Sequence, residues 1–85
     1  MPDGKVSWRE SVVAAIMRVV RRNGSLVFSR QELISREMDT IIVETGTRGK
    51  TPEQTLSRIL QELRNDNQIE FLERGKYRVI ESDMH

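Results

Sequence analysis

The side chains that could carry out chemistry on a bound molecule are few in this chain and are not grouped. The only histidine is His85, so neither a hydrolytic triad nor a histidine-based metal site is expected. Asp3-Gly4-Lys5 has the carboxylate and the lysine of a metal-dependent nuclease, but it lies in a predicted flexible arm. With no cysteine, a thiolate metal site and a disulfide are both excluded. We therefore predict no enzymatic activity and no cofactor.

One segment imitates a nucleotide-binding loop. Residues 46–51 end in Gly49-Lys50-Thr51, like a Walker-type phosphate loop. That loop needs a wider spacing between its glycines and must follow a strand. Here Gly46 and Gly49 are too close together, and a helix is predicted before them. We expect no nucleotide site, which leaves the basic side chains of this loop for another role.

Side chains suited to recognising a binding partner occur together on a helix predicted over residues 52–65. Thr51 is its predicted N-cap and Gln54 the residue that bonds back to it. At about 100° per residue its apolar side chains occupy one face and its polar ones the opposite face. Gln, Asn and Arg make paired hydrogen bonds to adenine and guanine in the DNA major groove. The polar face carries Gln54, Arg58, Gln61 and Asn65.

Positive charge is clustered on either side of this helix. Arg48 and Lys50 precede it, and Arg74 and Lys76 follow it on a predicted hairpin tip. The net charge of the 85 residues is only +1, so binding to nucleic acid must depend on such local clusters. A phosphate is expected at the helix N-terminus beside Thr51, where backbone N–H groups and the helix dipole favour anions.

The remaining elements must position this helix and hairpin. A capping box at Ser7 predicts a first helix that ends at Gly24, and another at Ser29 predicts a second helix that ends at Gly46. The second helix is expected to break near Asp39. A short strand is predicted between these helices, at Leu26–Phe28, and Ile69–Phe71 and Tyr77–Ile80 supply the hairpin strands. The apolar residues, with the tryptophan and the methionines, are interpreted as core.

This order of elements, α-β-α-α-β-β, predicts an α+β fold of the winged helix-turn-helix type. Three short amphipathic helices bury their apolar faces against one another, and a hairpin that is marginal alone closes the same core. A small antiparallel sheet forms at one side, with the C-terminal hairpin as the wing. We predict a flexible arm over residues 1–6, one winged-helix domain over 7–80 and a flexible tail over 81–85.

Three segments also resemble a known family: Gly49–Arg64, Ile69–Leu72 and Gly75–Arg78. They are similar to the C-terminal winged-helix domain of restriction endonucleases that cut adenine-methylated DNA, the Dam-replacing type. They also resemble the helix-turn-helix domains shared by restriction enzymes and some chromatin proteins, the HARE group. The resemblance covers about residues 26–80 and is strongest over 49–77.

The resemblance implies a third helix that enters the major groove of double-stranded DNA. It assigns that contact to Gln54, Thr55 and Arg58 and to the loop residues Arg48 and Lys50. This chain has no counterpart of the family's nuclease domain, so cleavage is not implied, and whether methylated adenine is read stays open. A nuclease domain or another protein is a possible partner.

Two function classes remain from the sequence. The first is a double-stranded DNA-binding module, in which the third helix reads bases and the hairpin contacts the backbone. The alternative is a winged helix that docks on proteins and does not bind DNA, which the low net charge favours. We expect a monomer. The absence of cysteine fits a reducing, cytoplasmic setting, and no membrane partner is expected because no apolar run approaches the roughly 20 residues of a membrane span.

Overall fold

The computed structural model describes residues 6–46 and 51–80. Helix α1 spans Trp8–Asn23. It begins where the Ser7 hydroxyl accepts a hydrogen bond from the Glu10 amide at 3.1 Å, and it ends at Gly24, whose φ of 67° is left-handed. The positions of both ends agree with the prediction, because a hydroxyl satisfies first-turn donors and glycine accepts a positive φ without a steric penalty. Of the predicted capping box at Ser7, the structure shows the bond from the Glu10 amide to the serine hydroxyl.

The second predicted helix is present as three consecutive pieces. They are α2 (Arg30–Glu32), a π-helical turn (Leu33–Glu37) and α3 (Met38–Thr45). Ser29 and Glu32 form the predicted capping box, and Gly46 ends α3 with a φ of 67°. The wide turn directs Glu37 inward, where its carboxylate accepts a hydrogen bond from Arg18 Nε at 2.8 Å. The break therefore lies just before the predicted Asp39.

Helix α4 spans Pro52–Asn65, as predicted. The expected capping box at its start is wrong, because the Thr51 side chain makes no capping hydrogen bond. Thr51 has a ψ of 60°, whereas the capping residues Ser7 and Ser29 have an extended ψ of 154°. At the other end, Asn67 adopts a φ of 62° and the Gln68 amide bonds to the Leu63 carbonyl oxygen at 2.9 Å, a common way to end a helix.

The three strands form an antiparallel sheet with the order β1-β3-β2. Strand β1 spans Val27–Ser29, β2 spans Ile69–Glu73 and β3 spans Lys76–Val79. Gly75 turns the chain between β2 and β3 with a φ of 74°. In the described ranges, three helical segments and this sheet make an α+β fold with winged-helix topology, which confirms the predicted fold class.

The core lies between the three helical segments and the inner face of the sheet. Among the described residues, seven side chains interpreted as core are instead substantially exposed, with Val43 at 79%, Phe71 at 45% and Met17 at 43%; the others are Val13, Val27, Leu72 and Ile80. Val13 and Met17 lie toward the outer side of α1, and Phe71 is on an edge strand. None of the helices in the described ranges is long and apolar enough to cross a membrane. The buried apolar residues are Val12, Ala15, Ile16, Val19, Val20, Phe28, Leu33, Met38, Ile41, Leu56, Ile59, Leu60, Leu63 and Ile69.

Candidate nucleic-acid interface

The polar face of α4 is open to solvent along its whole length. Its apolar face is buried through Leu56, Ile59, Leu60 and Leu63, so the polar face must point outward. The Gln61 side-chain nitrogen donates to the Asn65 side-chain oxygen at 3.2 Å, which orients both amides. The exposed residues of this face are Gln54, Arg58, Gln61 and Asn65.

The N-terminus of α4 is less suited to a phosphate than the sequence-based interpretation requires. Pro52 has no N–H group. The Gln54 amide already donates to the Thr51 carbonyl oxygen at 3.1 Å, and the Thr55 amide donates to the same oxygen at 3.3 Å. Thr51 is exposed, but Thr55 is half-buried beside the apolar face. A phosphate here would depend on Arg48 and Lys50, which lie outside the described residues.

Two of the predicted DNA-contacting residues, Arg74 and Lys76, lie at the hairpin tip, and they differ in whether a carboxylate pairs with them. Arg74 is exposed and forms no ion pair within the described ranges. Lys76 Nζ lies 3.6 Å from a carboxylate oxygen of Glu73. Both Lys76 and Glu73 are more than half exposed, so solvent screens this pair and the lysine stays free to exchange partners.

One residue that sequence reasoning missed connects the hairpin tip to α4. The Arg30 backbone N–H donates to the Gly75 carbonyl oxygen at 2.9 Å. The Arg30 side chain donates from Nε to Ser57 Oγ at 3.0 Å and from Nη2 to the Glu53 carbonyl oxygen at 3.3 Å. The tip of the hairpin is therefore held beside the first turns of α4.

A sequence signal for Arg30 did exist. It is the first residue of α2, directly after the capping Ser29. A cation in the first turn opposes the helix dipole, which makes this arginine an unfavourable choice for the helix start itself. Nothing in the sequence identifies Ser57 or Gly75 as its partners.

Further contacts fix the C-terminal half of α4 on both flanks. The Arg64 guanidinium lies 5.1 Å from the ring centre of Phe71 on β2, and Phe71 meets Tyr77 edge-on at 5.8 Å. On the opposite flank, Arg9 of α1 forms ion pairs with Glu62 and Asp66. The two flanks of α4 are thus occupied by neighbouring elements, and the outer face between them is left accessible.

Arg58 is the cation best placed for recognition. It is exposed in the middle of the outer face, directly after Ser57, and no carboxylate in the described ranges pairs with it. By contrast, Arg78 on β3 is held by Glu70 at 2.7 Å. The structure thus leaves Arg58 and Arg74 unpaired among the described residues and neutralises Arg78 locally.

Comparison of the chain with protein-family models, with curated proteins and with solved structures found no match.

Proposed function

We propose that this protein binds double-stranded DNA through the outer face of α4, with the hairpin tip beside the sugar-phosphate backbone. The observation that carries the proposal is the arrangement around Arg30. Its bonds to Gly75 and Ser57 hold the tip next to an exposed helix face whose polar residues match base edges. The resemblance to the DNA-binding domains of restriction enzymes supports the same function.

In this proposal the side chains of α4 contact bases and those of the hairpin contact phosphates. Arg58 donates two hydrogen bonds to a guanine edge, and the amides of Gln54 and Gln61 pair with adenine. Arg74 and Lys76 contact phosphates, which adds affinity that is independent of sequence and sensitive to salt. Arg30 bonds to Ser57 on α4, and Arg64 of α4 lies against Phe71 of the sheet. Both contacts keep the orientation of the helix constant, so little ordering is needed on binding.

Two observations favour protein docking as the second candidate. Lys76 and Arg78 on the hairpin are paired with carboxylates, which weakens the attraction of this surface for DNA. A shallow apolar groove also runs between α1 and the base of the hairpin, where Val13, Met17 and Ile80 are 36–43% exposed. A groove of this kind is typical of a protein-binding surface.

An amide chemical-shift titration separates the two candidates. The labelled protein is titrated with a random duplex and with an adenine-methylated duplex at several salt concentrations. DNA binding through α4 predicts shifts concentrated at Gln54, Arg58 and Gln61 and at the hairpin tip, which weaken as salt rises. The absence of saturable shifts at low salt would reject the DNA-binding proposal.

A further inference from the structure

Helix α1 carries a second ordered stripe, on the side that faces away from the core. The apolar face of α1 is buried against the other helices, but its outer side is not polar throughout. The outer stripe consists of Glu10, Ala14, Met17 and Arg21, all exposed, with Val13 beside it. Met17 is 43% exposed and Val13 is 39% exposed, so apolar side chains form the middle of the stripe.

The side chains along this stripe are spaced symmetrically, and the two ends of the stripe carry opposite charges. Glu10 precedes Ala14 by one helical turn, and Arg21 follows Met17 by one helical turn. An acid therefore stands at one end, a base stands at the other end, and two apolar residues lie between them. A surface of this kind is complementary to a copy of itself turned by 180°, as an isologous dimer requires.

We infer that α1 of one molecule packs antiparallel against α1 of a second copy through this outer stripe. Met17 then lies opposite Ala14 of the second copy, and Glu10 lies opposite its Arg21. Because of the twofold symmetry, each Glu10–Arg21 contact forms twice. No ion pair within the described ranges uses the Glu10 carboxylate or the Arg21 guanidinium, so both groups are available for this contact.

Charge complementarity is the reason to assign a second copy as the occupant. The apolar centre alone would accept many partners. The acid and the base at matching distances on either side of it select a helix with the same pattern in the reverse direction. The adjoining groove, which contains Val13, Met17 and Ile80, adds apolar surface at the edge of the contact.

The expected association is weak. One face of a 16-residue helix is small beside the roughly 1,600 Å² of a standard protein interface. We expect a dissociation constant on the order of 100 µM, the range of transient complexes. The stripe shares no residue with the proposed DNA-binding face of α4. The inference goes beyond the proposed function, and either can fail without the other.

Sedimentation velocity over a wide range of protein concentration tests the inference. The parent chain is compared with Glu10→Arg, with Arg21→Glu and with the double variant that carries both changes. Each single reversal brings like charges together at both contacts and should raise the dissociation constant at least tenfold. The double variant recreates opposite charges across the dyad and should recover association to within about threefold of the parent.

Two further variants control for indirect effects. Arg22→Glu makes the same change of charge one residue further along α1, but it projects away from the stripe and should leave association unchanged. Met17→Lys should abolish association without affecting charge pairing in the fold. Thermal melts accompany every variant. Both reversals oppose the helix dipole, so the double variant has the least favourable charges for the stability of α1. If its association recovers, the recovery cannot be explained by better folding.

A parent chain that stays monomeric up to millimolar concentration would overturn the inference. So would self-association that survives either single reversal, or a double variant that does not recover. Equal loss of association in Arg22→Glu and Arg21→Glu would also overturn it, because general charge and not the stripe would then control association.

Discussion

Arg30 and Ser57 join the start of α2 to the flank of α4: Arg30 Nε donates a hydrogen bond to Ser57 Oγ at 3.0 Å. The backbone of the same arginine is bonded to Gly75 at the hairpin tip. One residue therefore contacts both parts of the proposed DNA-binding surface. The hydrogen bonds of Arg30 therefore help to set the orientation of the hairpin relative to α4.

Replacing Arg30 by alanine should loosen this connection. We expect the free energy of unfolding to fall by about 1 kcal/mol, because hydrogen bonds from an exposed cation are lost. Amide hydrogen exchange should accelerate at residue 30 and in the hairpin turn. Ser57→Ala is the matched variant, since it removes one bond and keeps the charge; it should produce the same effect at about half the size. Unchanged exchange at the tip in both variants would show that Arg30 does not hold it.

Arg58→Ala tests whether α4 reads bases. Loss of a paired contact to a guanine should cost about 1–3 kcal/mol of binding free energy and relax the preference at one base pair. Arg58 is exposed on the polar face of α4, so the free energy of unfolding should change by less than about 0.5 kcal/mol. The measurement is affinity for a preferred and a scrambled duplex. Arg36→Ala, an exposed arginine of the π-helical turn, is the control. Parent-like binding of both duplexes by Arg58→Ala would remove α4 as the reading helix.

Lys76→Ala should behave differently, because its proposed partner is a phosphate. All duplexes should bind more weakly by a similar factor, and the slope of log K against log salt should become shallower by about one. With Arg48, Lys50, Arg74 and Lys76 engaged, the parent slope should lie at roughly −3 to −5. Arg78→Ala, whose partner Glu70 already neutralises it, should change the slope less. An affinity that is independent of salt would favour protein docking over DNA binding.

The Arg18–Glu37 pair should matter for stability and not for binding. Glu37 is 6% exposed, and Arg18 Nη2 lies 2.7 Å from one of its carboxylate oxygens. Arg18→Ala leaves that carboxylate buried without its cation and should destabilise the fold by roughly 2 kcal/mol, somewhat below the value for fully buried pairs. Arg22→Ala is the neighbouring control and should change little. Chemical denaturation measures both, and equal stability of the two variants would contradict the structural role of the pair.

The sequence by itself determined the fold class and the ends of most elements. Ser7, Ser29 and the glycines at 24 and 46 mark helix boundaries through local hydrogen bonding and local backbone conformation, which depend on near neighbours only. The buried face of α4 was equally predictable, because helical periodicity selects one side. Thr51 is the exception among the caps: its backbone has a ψ of 60°, which composition does not reveal, and its side chain makes no capping hydrogen bond.

Only the tertiary structure decided which polar groups face one another. The bonds from Arg30 to Ser57 and Gly75 span 27 and 45 positions of the chain, and no local pattern specifies such pairs. The exposure of Val13, Met17 and Phe71 also depends on how far the neighbouring elements extend over them. The sequence shows which side chains are apolar, and its periodicity predicts the face on which they lie. Whether such a side chain is buried depends on whether another element of the folded chain covers that face.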